Sequence, residues 1–169
     1  MRVYIWLVLC LLTFAACESV SKYPIDAPGS ASDSRFSGIW KFREDTNSKN
    51  FYEVAYSTYN HQYHVKFWDR GGTNPTYEAN VYFTKIGDAT FINMPYYNPA
   101  NSVTGKDYNY FFFLKILYVN KDFSEMTTAT IHDSTLIKLE SSAEVKAHIS
   151  RHLEDPRFYY DTAHLYKVK

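Results

Sequence analysis

The sequence predicts a mainly β fold: an antiparallel eight-stranded barrel, or a barrel-like sandwich, with one helix packed outside it. Three observations carry this. Large apolar residues recur at every second position from Trp40 onward, turn residues interrupt them about every ten residues, and one helical pattern falls between the seventh and eighth strands. The aromatic content, 16 Tyr, 12 Phe and 3 Trp, points the same way, because aromatic rings suit a half-buried pleated surface better than a helix.

The strands follow in order. Trp40 and Phe42 alternate with Lys41 and Arg43; Tyr52, Val54 and Tyr56 with Glu53, Ala55 and Ser57; Tyr63, Val65 and Phe67 with His64, Lys66 and Trp68. Tyr77, Ala79, Val81 and Phe83 form the fourth set, and Gly87-Asp88 turns it tightly into residues 90–94. A loop over 95–107 rich in Pro, Gly and Asn precedes residues 108–120, the longest strand, which is apolar on both faces and must therefore be covered on both. Residues 125–131 and 164–168 are the last two strands. Between them Ser141-Ser142-Ala143-Glu144 matches a capping box, Val145, Ile149, His152 and Leu153 follow at helical spacing, and Asp155-Pro156 stops the pattern. The spacing predicts a helix over 142–154, laid on the second face of the sheet.

Ahead of this domain, Arg2 and the apolar run from Val3 to Phe14 lead into Ala15-Ala16-Cys17. This segment is too short to span a bilayer comfortably, and it resembles the signal and lipobox of bacterial lipoproteins. The resemblance implies a signal peptide over 1–16, lipidation of Cys17, and a membrane-anchored place in the bacterial cell envelope, the outer membrane if the cell is Gram-negative. Residues 17–34, with Pro24, Pro28 and Gly29, are expected as a flexible tether, and 35–169 as the barrel domain. About 150 residues remain after the signal, enough for one sizeable core. Cys10 leaves with the signal and Cys17 carries the lipid, so the domain keeps no thiol for a disulfide, a metal or a nucleophile.

Phe36-Ser37-Gly38-Ile39-Trp40 resembles the Gly-x-Trp signature that opens lipocalin and calycin barrels, which makes the expected architecture lipocalin-like. In those families the Trp plugs one barrel end and an Arg from a late segment packs over it; Arg151 and Arg157 are the candidates here. The stretches 77–87 and 91–94, with the helix ending at Glu154-Asp155-Pro156, are similar to small bacterial lipoproteins, a resemblance that implies no activity.

Acidic and basic residues balance at 18 each, so the chain lacks the positive footprint that nucleic acid requires, and no nucleic-acid partner is expected. No nucleophile elbow, phosphate loop or dinucleotide fingerprint occurs, so neither catalysis nor a cofactor is expected. His148 and His152 share a helix face but have no third ligand in view, and His61 and His64 fall on opposite faces of a strand; no metal is expected. Glu53, Glu78 and Asp69 are the candidates for acid–base work, and Glu53 and Glu78, on the face opposite the more apolar residues of their strands, read as solvated charges. Two function classes remain: a binding module for a small apolar or sugar-like ligand, and an interaction lipoprotein that meets an envelope protein through its outer surface. Ligand-contact candidates are Trp40, Tyr56, the loop residues Tyr96 and Tyr97, and Lys115, whose ammonium either snorkels out beneath the helix or pairs with a carboxylate. The aromatics Trp40, Tyr52, Tyr56, Phe67 and Phe112 point inward and predict a filled interior rather than an open cup.

Overall fold

The computed structural model describes residues 19–29, 33–44, 49–69, 71–96 and 110–168. Cys10, Cys17, Tyr97 and most of the 95–107 loop lie outside them. Eight antiparallel strands close a barrel in sequence order: β1 (Gly38–Phe42), β2 (Phe51–Ser57), β3 (Gln62–Trp68), β4 (Tyr77–Ile86), β5 (Ala89–Tyr96), β6 (Tyr110–Val119), β7 (Glu125–Ile131) and β8 (Tyr159–Val168). Pairing of β8 with β1, from Ile39 opposite Val168 to Phe42 opposite Leu165, completes the ring and leaves no open edge. The expected meander is therefore a true barrel, consistent with a lipocalin-like architecture.

One end is closed by aromatic rings. A 3₁₀ turn, Ser34–Phe36, inserts Phe36 between Phe83 and Phe123, with centroids 4.9 and 4.8 Å away. Tyr63 stacks on Phe83 at 4.7 Å, and its hydroxyl donates to the Asp33 carbonyl at 2.8 Å, tying the turn to the barrel floor. Trp40 is buried beside them and its indole N–H donates to the Phe36 carbonyl at 2.8 Å. The cation over its ring is Lys167 of the last strand, 5.1 Å from the centroid, and neither Arg151 nor Arg157. Arg157 pairs with Asp155 at 2.9 Å, and Arg151 lies exposed on the helix.

Two bulges reset which residues face inward. In β6, Ile116 opposes Thr128 but Tyr118 opposes Thr127, so the extra residue pushes Leu117 and Tyr118 out to 48 and 54 % exposure and returns Val119 to the inner cluster. In β8, Ala163 opposes Thr128 and Tyr160 opposes Thr130: Asp161 and Thr162 of β8 answer the single residue Ala129 of β7. Below this bulge Ala163 and Leu165 point into the barrel; above it Tyr159 points outward.

The helix α1 (Ser142–Arg151) covers the outer faces of β5, β6 and β7, with Val145 and Ile149 fully buried against Phe91, Phe113 and Ile131. Each such side chain contributes about 1.5–3 kcal/mol through burial. Ser141 caps the helix by accepting from the Glu144 N–H at 3.2 Å, while Glu144 reaches back to the N–H of Glu140. The helix stops at Arg151, three residues earlier than the spacing predicts, because the His152 N–H turns back to the Ile149 carbonyl at 3.1 Å.

Within the segment expected as a tether, residues 19–29 are described and pack against the barrel. Ser21 exchanges both backbone hydrogen bonds with Phe111, at 2.8 and 2.7 Å, and Ile25 is 1 % exposed in the same outer cluster as α1. Asn93, wholly buried on the outer face of β5, accepts from the Ile25 N–H at 2.9 Å and donates to Thr84 Oγ1 at 2.9 Å. Tyr82 donates to the Asp26 carbonyl at 3.0 Å. Low hydrophobicity favours an unpacked chain only while no partner surface is at hand. Here a few apolar anchors and a buried asparagine supply one.

Candidate functional site

The side chains inside the barrel leave a cavity of about 300 Å³. Its wall is apolar: Val54, Val65, Val81, Ile92, Met94 and Leu165 form the middle, above the floor of Phe36, Trp40, Tyr63 and Phe83. The expectation of a filled interior does not hold. Phe36, Trp40, Tyr63 and Phe83 gather at the closed end, of which only Trp40 was among the rings expected to fill the barrel, and the midsection is lined by residues too small to meet across the barrel axis. Eight strands enclose enough width for one small ligand when the large rings are segregated in this way.

The cavity extends toward the opposite end, where it is lined by Phe42, Tyr52, Phe112, Thr130 and Asp161. The strand ends Phe42, Phe51, Trp68, Tyr77, Tyr96, Tyr110, Ile131 and Tyr159 fall at that end, and the tight turn at Gly87-Asp88 at the other. Polar groups are few. Thr128 is buried on the wall, and burial raises the pKa of Tyr52, whose hydroxyl makes no hydrogen bond among the described residues. Tyr63 is pushed up to about 12, chiefly by burial. Asp161 is exposed at the rim and is the sole charged group lining the cavity among the described residues.

The residues singled out in the sequence separate on this geometry. Trp40 forms part of the cavity floor. Tyr56 faces the inner cluster but stops short of the cavity; its ring lies 5.1 Å from Tyr63 and its hydroxyl 2.9 Å from His61 Nδ1. Tyr96 is the last residue of β5 rather than part of a loop, with its ring edge-on to Phe112 at 6.4 Å. Lys115 stands outside the wall: its ammonium donates to the Leu153 carbonyl at 2.9 Å and lies 4.6 Å from the Tyr159 ring. It snorkels beneath the helical segment and serves the outer packing, away from the cavity.

Glu78 on the outer surface pairs with His64 at 2.7 Å, and Glu53 is exposed. His148 pairs with Asp133 at 2.6 Å beside His152, and no group of three or more metal-ligating side chains occurs among the described residues. Asp161, Thr128 and Thr130 carried no signal in the sequence. Asp161 enters the site only through the β8 bulge, which alternation alone does not reveal.

The fold and site define a closed eight-stranded antiparallel barrel with an apolar internal cavity that extends from the aromatic floor toward Asp161. No family model, curated protein or solved structure matches the chain.

Proposed function

We propose that this protein is a cell-envelope lipoprotein, anchored in the membrane through a lipid on Cys17, whose barrel binds a small apolar molecule without transforming it. The apolar cavity of about 300 Å³ carries the reading. That is roughly twice the size of a 150 Å³ cavity that accepts benzene, and suits a ligand of roughly ten to fifteen non-hydrogen atoms. The scarcity of polar groups favours an apolar ligand over a sugar, whose hydroxyls each need a partner. Only Glu18 separates Cys17 from Ser19, which is packed against the barrel, so a lipid at Cys17 holds the barrel close to the bilayer. Apolar solutes concentrate there.

The test is native mass spectrometry of the full chain in lipid nanodiscs, beside Ala163→Phe, which puts a ring into the cavity. A small-molecule mass that accompanies the folded protein and is absent from the variant supports the reading. A bare mass in both, together with no uptake of added apolar probes, overturns it. A second reading would then gain ground, with its own observation behind it. The β6 bulge exposes Leu117 and Tyr118 side by side, along a cleft of about 470 Å³ shared with Phe123 and Lys85, as a contact surface for an envelope protein would require.

A further inference from the structure

The geometry points to a specific class of ligand: an apolar molecule bearing a cationic group, with the body in the barrel and the cation at Asp161. The inference rests on the cavity being a ligand site and adds the charge of what enters it.

Three observations converge on Asp161. The β8 bulge places it at the rim, where Asp161 and Thr162 of β8 answer the single residue Ala129 of β7. Its φ is +46°, in the left-handed region that Asp tolerates better than most residues with a Cβ. A bulge that re-aims a side chain toward a cavity is a common device beside binding sites. Its carboxylate has no hydrogen-bond or ion-pair partner among the described residues, whereas Asp26, Asp33, Asp133 and Asp155 are each tied to a cationic or imidazole side chain. No basic residue lines the cavity among those described, so Asp161 is the one formal charge on the described lining.

A carboxylate over a low-dielectric wall attracts a cation and repels an anion more strongly than one in open solvent. The opening thus selects against fatty acids and other apolar anions, which would set a second carboxylate against Asp161 with no counter-ion on the described lining. An ammonium can remain partly hydrated at the exposed rim while its apolar body displaces water from the cavity. The buried Thr128 offers a neutral partner for a polar atom placed deeper, and the Tyr52 hydroxyl one nearer the mouth.

The experiment uses the full chain in phosphatidylcholine nanodiscs, with empty nanodiscs titrated in parallel to remove partition into lipid. Three probes of matched body are compared by calorimetry: 4-phenylbutylamine, 4-phenylbutan-1-ol and 4-phenylbutyrate. The expected order of affinity is amine, alcohol, acid, with about a tenfold span or more from amine to acid. Asp161→Asn keeps the size of the side chain and tolerates the left-handed backbone, and should bring amine and acid to within about twofold while leaving the alcohol unchanged. Equal affinities for the three probes on the unaltered chain, or an unchanged order in Asp161→Asn, would overturn the inference and leave the cavity reading standing. Absence of binding by all three would sink both. If Asp161→Asn does not fold, the order on the unaltered chain still decides.

Discussion

At Gly38 the backbone φ is +141°, and a Cβ there would stand 3.1 Å from Cδ of Lys167. Two constraints meet at one position. The conformation favours glycine, and the space a side chain would occupy is filled by the lysine stem on its way over the Trp40 ring. The Gly-x-Trp pattern therefore has a mechanical reading here: glycine at 38 lets the cation of β8 reach the tryptophan two residues on. Burial lowers the pKa of Lys167, while the charge of Asp122 opposes that shift. Gly38→Ala should destabilise the protein by about 1–3 kcal/mol, measured by denaturant unfolding, because the alanine is strained and the lysine stem must move. A variant as stable as the parent would show that neither constraint matters.

At the scale of elements, α1 is held by its apolar face and by one polar clamp. His148 Nε2 meets Asp133 Oδ2 at 2.6 Å, joining the helix to the chain that follows β7. Burial by itself would raise the Asp133 pKa, but hydrogen bonds from His148 and from Thr135 outweigh it and hold the carboxyl below 3.8. A depressed carboxyl pKa contributes stability that is fully present above the unfolded value of 3.8 and is lost as pH falls through the folded value. Asp26, held low chiefly by Lys146, ties the packed N-terminal segment to α1 with the same sign. The melting temperature should therefore fall on acidification from about pH 5 to about pH 3, and Asp133→Asn should flatten part of that fall. An identical acid profile in the variant would remove the clamp from the account. The two bulges are equally element-level features. Each changes the face of every residue beyond it, and the one in β8 both delivers Asp161 to the rim and turns Tyr159 out beneath the helix.

For the whole molecule, the barrel has two cores, one inside the wall and one outside it. The inner core is incomplete, and its missing volume is the cavity. The outer core, built from α1, Ile25 and the outward rings Phe91 and Phe113, is dense and polar-satisfied around Asn93. Stability can thus be carried outside the wall while the interior stays open to a ligand. The proposed anchor belongs to this scale. Cys17→Ala should abolish incorporation of labelled fatty acid and release the protein from the membrane fraction, while the cavity is unaffected. If the variant still incorporates label and stays with the membrane, the proposal of a lipid at Cys17 fails.

The number of strands, the helix between β7 and β8, the hairpin at Gly87-Asp88 and the burial of Trp40 were legible in the sequence, because alternation, turn chemistry and capping act over a few neighbouring residues. Local pattern also showed that residues 110–119 needed cover on both faces. It did not show that residues 19–29 supply part of that cover, since Ile25 finds Asn93 only when positions 68 apart in the chain are brought together. Nor could alternation reveal whether the inward rings fill the barrel. That depends on the stagger of all eight strands, which collects Phe36, Trp40, Tyr63 and Phe83 at one end and leaves the middle to smaller residues. Asp161 is the clearest case. One extra residue in β8 relative to β7 decides which side chains look inward, and only the closed tertiary structure determines where that residue goes.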